Sequence, residues 1–169
     1  MYKVGDKIVY KRNVCEIVDI KLDKFSNKEC YYLEPVDDKS LKITVPIDLD
    51  DSIRKIVTKK EVDNIIKNIP NIEVIKNIND KNIELEYKKC LDNLSHENLI
   101  KVIKTTYLRN KARTDSKKKI SDKDDMYFKM AEKLLYTEFS ITLNKNYEDT
   151  KEYVVSKVLE EVGDNSEIN

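Results

Sequence analysis

The chain has no tryptophan, two glycines, three prolines, three cysteines and one histidine in 169 residues. Each scarcity closes off a kind of chemistry. Two glycines are too few for an active site built on glycine-rich phosphate loops, and so few chain breakers favour helices. Cys15, Cys30 and Cys90 are an odd count at wide spacing. They form no Cys-x-x-Cys pair, and with His96 alone beside them they offer no zinc ligand set. Cys15 and Cys30 fall in strand-like segments and read as small buried apolar residues, so a reducing, cytoplasmic setting is expected. No apolar run approaches the roughly 20 residues that span a bilayer. The N-terminus lacks the apolar core of a signal peptide. No membrane association is expected.

Net charge is also absent, because 32 Lys and Arg balance 32 Asp and Glu. Apolar residues make up 40% and charged residues 38%, enough to build one core or two small ones despite the high charge. The charge is unevenly placed. Between Lys101 and Lys123 nine basic residues face only Asp115 and Asp122, a local net of +7. Between Asn146 and Asn169 seven acidic residues face Lys151 and Lys157, a local net of −5. A basic belt followed by an acidic tail suits nucleic-acid contact, and it equally suits a solvated helix face.

The first third of the chain has β character. Strands are expected near 7–11, 15–23, 29–36 and 40–46, with a short fifth near 53–57, since each segment is rich in β-branched and aromatic residues. Lys11-Arg12-Asn13 and Asp37-Asp38-Lys39-Ser40 supply turn chemistry, with Asn13 the residue best able to take a positive φ in the first. Tyr31 and Tyr32 should point to opposite faces of the sheet, one buried and one exposed.

Beyond that the pattern is helical. Thr58 reads as an N-cap with Glu61 three positions on, a capping box, followed by Val62, Ile65, Ile66 and Ile69 at helical spacing and Pro70 at the end. Asn71 to Asp80 reads as a connection. Ile83, Tyr87, Leu91 and Leu94 form a stripe. Ser95 caps a helix containing Leu99, Val102, Ile103, Thr106 and Tyr107. Lys111 to Ile120 reads as a polar connection. Ser121 or Asp122 caps a long helix carrying Tyr127, Met130, Leu134, Leu135 and Ile141. Tyr147 to Val162 makes the last, with Gly163 a suitable stop. The fold expected is α+β: a small antiparallel β module over 1–69, a linker over 70–80, a helical bundle over 81–162 and an acidic tail over 163–169.

In order and spacing, KVGDKIVY at 3–10, VCEI at 14–17, YYLEP at 31–35 and KITVP at 42–46 resemble the N-terminal module of the CarD family of bacterial transcription regulators, also carried by the transcription-repair coupling factor. EYKKCLDNL at 86–94, LIKVIKTTYLRNK at 99–111 and SDKDDMYFKMAEKLLYTEF at 121–139 resemble the helical part of that family. The resemblance implies a Tudor-like module that binds the RNA polymerase β subunit and a helical domain on promoter DNA beside the opened bubble. It implies no catalytic activity and no cofactor, and an effect on promoter opening. Lys42, Ile43 and Thr44, with Lys21 and Lys24, are the polymerase-binding candidates. Segment 40–45 alternates apolar and polar residues, so it can serve as a sheet edge that adds a partner strand, or equally as an interior strand. Lys88, Lys89, Lys101, Lys104, Arg109, Lys111 and Arg113 are the DNA-backbone candidates. Ile83 stands where family members carry a Trp wedge, with Leu85 and Glu86 in place of the Arg residues that often follow. It reads either as a smaller wedge or as a core residue beside Tyr87. A monomer is expected.

Two other readings compete. One is a polymerase- or protein-binding adaptor with little DNA contact, favoured by the missing Trp and the zero net charge. The other is an enzyme, for which the only groups are isolated: His96 beside Glu97, and Asp124 beside Asp125. A helix-capping turn accounts for His96, and acids offsetting the helix dipole account for the Asp pair.

Overall fold

A computed structural model describes residues 1–76, 79–93 and 95–166. The chain divides into two compact units, Met1–Ile56 and Val57–Asn169.

The first unit is a five-stranded antiparallel sheet: β1 Lys7–Tyr10, β2 Asn13–Leu22, β3 Glu29–Pro35, β4 Ile43–Pro46 and β5 Ile53–Lys55. Their order across the sheet is β4-β3-β2-β1-β5. Ile8, Cys15, Ile17, Tyr31, Leu33, Val45 and Ile53 form the core. In β2 the core side falls first on odd positions, Cys15 and Ile17, and then on Ile20, which packs against the same core. The switch follows from a bulge. Ile17 pairs with Leu33 but Asp19 pairs with Tyr32, so Val18 is the extra residue. One extra residue exchanges the faces of everything beyond it and sharpens the bend. Tyr31 is buried and Tyr32 half-buried, on opposite faces as expected.

Tight turns close the sheet. Gly5 has φ +91, and this turn is held by Gly5 N–H to Ile17 O at 2.8 Å and Asp6 N–H to Lys3 O at 3.1 Å. Tyr10 pairs with Asn13, so the β1–β2 loop is only Lys11-Arg12. The positive φ falls on Lys11, at 49°, and not on Asn13, because Asn13 already belongs to the ladder.

The second unit is helical: α1 Lys59–Asn68, α2 Ile83–Asn93, α3 His96–Asp115, α4 Asp122–Leu143 and α5 Tyr147–Ser166. The caps are those the sequence signals. Thr58 and Glu61 complete a reciprocal capping box, Ser95 accepts from Asn98 N–H and Ser121 accepts from Asp124 N–H. Val62, Ile66, Tyr87, Leu91, Leu99, Val102, Tyr127, Leu135 and Phe139 are buried.

Several expectations are corrected. The β module ends at Ile56 and not at residue 69, because α1 packs on α4 and α5. The stretch after α1 is no free linker. Ile75 N–H donates to Thr105 Oγ1 at 3.0 Å, and the Lys104 amine donates to the carbonyls of Ile69, Pro70 and Ile72 at 3.0, 3.4 and 2.5 Å. Helix α3 runs through 111–115, so the connection to α4 is shorter than the polar stretch suggests. Helix α5 continues past Gly163. Leu94 and the last three residues of the acidic tail lie outside the described residues.

Candidate polymerase-binding edge and basic belt

Strand β4 lies at one end of the sheet order and pairs with β3 alone, in the register Leu33–Ile43, Tyr32–Thr44, Tyr31–Val45 and Cys30–Pro46. Its other edge meets no strand among the described residues. Along β4 the side chains alternate as an edge strand with one covered face requires: Val45 is buried, Thr44 exposed. Ile43 is half-buried and packs against the core. Its side chain therefore holds the sheet, and what it offers a partner is backbone. Lys42 is exposed and paired with Glu34 on β3. Pro46 lacks an N–H and sits where an edge strand tolerates that loss.

The other two candidates lie at the far end of β2. Lys21 pairs with Asp19 at 2.6 Å, and this hydrogen bond raises its pKa. Lys24 sits in the β2–β3 turn beside Phe25, whose ring is fully exposed. Asp23 shapes that turn by accepting from Phe25 N–H, Ser26 N–H and the Ser26 hydroxyl at 3.2, 2.8 and 2.9 Å. The strands expected at 15–23 and 29–36 leave 24–28 between them, and the exposed Phe25 there carries no periodic signal.

In the helical unit the DNA-backbone candidates separate into two kinds. Arg109 donates to Asp80 at 2.7 Å and to Asp124 at 3.1 Å. Asp124 is 1% exposed and also accepts from the Tyr87 hydroxyl at 2.8 Å. Burial, and then this hydrogen bond, raise the Tyr87 phenol above its ordinary value, so it stays a donor at neutral pH. Breaking a buried pair costs about 3–5 kcal/mol, which a phosphate at the surface does not return. Lys104, with its three carbonyl partners, is committed in the same way. Both side chains are tied into the fold. Asp124, expected to act on the helix dipole, is instead the centre of a buried polar cluster.

The remaining candidates are held loosely. Lys88 pairs with Glu84 at 3.1 Å, Lys89 with Glu86 at 2.7 Å, Lys101 with Glu97 at 2.8 Å and Lys111 with Asp115 at 3.6 Å. Each is a one-turn pair at a helix surface, worth roughly 0.3–0.5 kcal/mol, which a phosphate can displace. Arg113 donates from Nε to Lys119 O at 2.8 Å, Lys118 N–H donates to Arg113 O and Lys117 N–H to Thr114 O. These bonds fold the α3–α4 loop back on the end of α3 and hold up Lys117, Lys118 and Lys119, all exposed.

Ile83 is 3% exposed and shares the core with Tyr87 and Leu91. Of its two readings the core one holds, and no apolar wedge stands at that position. Tyr107, which shares the helical spacing of Leu99, Ile103 and Thr106, is 56% exposed. His96 does more than cap: its Nε2 lies 2.9 Å from Glu138 Oε2, and the buried Glu138 also accepts from Val57 N–H at 3.0 Å. Among the described residues no group of His, Cys, Asp and Glu is placed to hold a metal ion, and no helix is long and apolar enough to cross a membrane.

Residues 2–57 match the family model described as the CarD-like/TRCF RID domain, the RNA polymerase-interacting domain. The match ends one residue past the sheet unit, which ends at Ile56. No curated protein matches the chain. The sheet unit is thus similar to a known polymerase-interacting domain, and that likeness supports RNA polymerase binding by residues 2–57.

Proposed function

We propose that the protein is a cytoplasmic transcription regulator. Its sheet unit binds the β subunit of RNA polymerase through the β4 edge, and its helical unit contacts promoter DNA near the bubble, shifting the stability of the open complex. The observation that carries the first half is the match over residues 2–57, together with an edge strand on which Thr44 is exposed, with Lys42 exposed just before it. A partner strand added there gains main-chain hydrogen bonds, with the exposed side chains setting selectivity. Support for the second half is the belt of Lys111, Arg113 and Lys117–Lys119, with Lys88, Lys89 and Lys101 as weaker contributors. Such cations give salt-dependent affinity for phosphates without reading sequence.

A second reading is an adaptor that binds polymerase and hardly touches DNA. The burial of Ile83 and the commitment of Arg109 and Lys104 inside the fold favour it. Open-complex lifetime on one promoter tests both. A regulator changes the lifetime, and neutralising Lys117, Lys118 and Lys119 abolishes the change while polymerase still co-purifies. An unchanged lifetime with intact polymerase binding establishes the adaptor.

A further inference from the structure

We propose that the groove between α3 and α4 holds an unpaired base of single-stranded DNA, stacked on Tyr107, with the neighbouring phosphates on the lysines of the α3–α4 loop. The inference rests on the reading that the helical unit contacts promoter DNA, and it names the element that makes the contact. The groove has a volume of about 350 Å³, within the range of small-ligand sites. Helical spacing builds it: Tyr107, Asn110 and Thr114 recur one turn apart along α3, Phe128 faces them from α4, and Ile120 closes the end. A nucleobase presents a flat π face and a polar edge, and the groove presents the complement of both. Tyr107 and Phe128 offer ring surface. Asn110 Oδ1 accepts from Ser121 N–H at 2.8 Å, which orients the amide and leaves its NH₂ to donate. The Thr114 hydroxyl donates to Asn110 O at 3.0 Å and keeps lone pairs for acceptance.

Charge selects the occupant. Ile120 joins the groove directly to Lys117, Lys118 and Lys119, which form no ion pair among the described residues. Two carboxylates also line it, but Asp115 is met by Lys111 at 3.6 Å and Asp125 by Lys129 at 2.7 Å. An apolar peptide would fill the groove and leave those loop lysines unused; a polyanion with π faces uses both. The arrangement is that of single-strand binders, where aromatic platforms stack bases and a cationic track follows the backbone.

The test measures binding of the full chain to a short labelled oligo-dT and to a duplex of equal length, by fluorescence anisotropy at low and moderate salt. Wild type should prefer the single strand. Tyr107→Ala should weaken single-strand binding about tenfold or more and leave duplex binding unchanged, while Tyr107→Phe retains it. Lys117→Gln/Lys118→Gln/Lys119→Gln should weaken both and flatten the salt dependence. Tyr107 is an exposed position, so thermal melts of its variants should match wild type. If Tyr107→Ala binds the single strand like wild type while the lysine variant does not, the base site is overturned and DNA contact by the belt stands. If wild type binds neither DNA even at low salt, both readings fall. A photocrosslinker at position 107 that labels polymerase and never DNA in the open complex assigns the groove to protein and overturns the proposal.

Discussion

The Tyr87 hydroxyl donates to the Asp124 carboxylate at 2.8 Å, joining α2 to α4 inside the helical unit, with Arg109 of α3 on the other carboxylate oxygen at 3.1 Å. Three helices therefore meet on one buried anion. Tyr87→Phe should cost about 1–3 kcal/mol, because one carboxylate oxygen loses its donor without regaining water. Asp124→Ala should cost roughly 3 kcal/mol, the low end for breaking a buried pair, since Arg109 keeps Asp80. Urea denaturation followed by circular dichroism measures both.

Ile83→Trp should lower stability by about 1–3 kcal/mol, the cost of forcing extra volume into a packed core, and should not lengthen open-complex lifetime. Equal melting temperatures together with longer-lived complexes would show that the position is reachable from DNA after all.

On the sheet, Thr44→Glu should abolish co-purification with polymerase while leaving the circular dichroism spectrum of the protein unchanged. Thr44 is exposed on the strand edge and holds no core contact. Lys42→Glu should act in the same direction but also repel Glu34, so Thr44 is the cleaner site. Undiminished polymerase binding by Thr44→Glu would remove the β4 edge from the interface.

The sheet's turns carry opposite backbone costs. Lys11 is left-handed at φ 49, which costs a side chain about 1–2 kcal/mol. Lys11→Gly should therefore stabilise the unit by up to about 1 kcal/mol, after glycine's own entropy is discounted. Gly5→Ala should destabilise by a similar amount, since φ is +91 there although nothing crowds the new methyl. Opposite shifts in denaturation midpoint are the expected outcome.

Alkaline pH should loosen the sheet unit. Burial, and then the charge of Asp37, push the Cys15 thiol up to about 12, whereas an unfolded thiol titrates near ~8.5. Between those values the unfolded chain releases a proton that the native state retains. Stability present below the lower value is lost as pH rises, by up to roughly 1.4 kcal/mol per pH unit. Cys15→Ala should be less stable than wild type at neutral pH, with the gap narrowing as pH climbs. A gap independent of pH would mean that the thiol is not the group responsible.

Local signals in the sequence were read well, and long-range ones were not. Thr58, Glu61, Ser95 and Ser121 cap their helices because capping is decided within four residues. Strand existence followed from β-branched runs. The affiliation of α1 did not, because an amphipathic stripe such as Val62 and Ile66 shows that a helix is covered and not by what. Tyr107 sits on the α3 periodicity yet lies outside the width of face that neighbouring helices cover. Among the belt residues, formal charge could not separate Arg109 and Lys104, whose partners lie 15 to 35 positions away, from Lys111 or Lys117.

Lys104 has a practical use. An amine at a half-buried position, already donating to three main-chain carbonyls, reacts more slowly, whereas the lysines of the α3–α4 loop stand open to reagent. Brief acylation of the native protein should modify the loop and spare position 104. The ratio of the two then serves as an internal gauge of whether segment 69–72 is seated on α3, readable by mass spectrometry in the free protein and again in any assembly it joins.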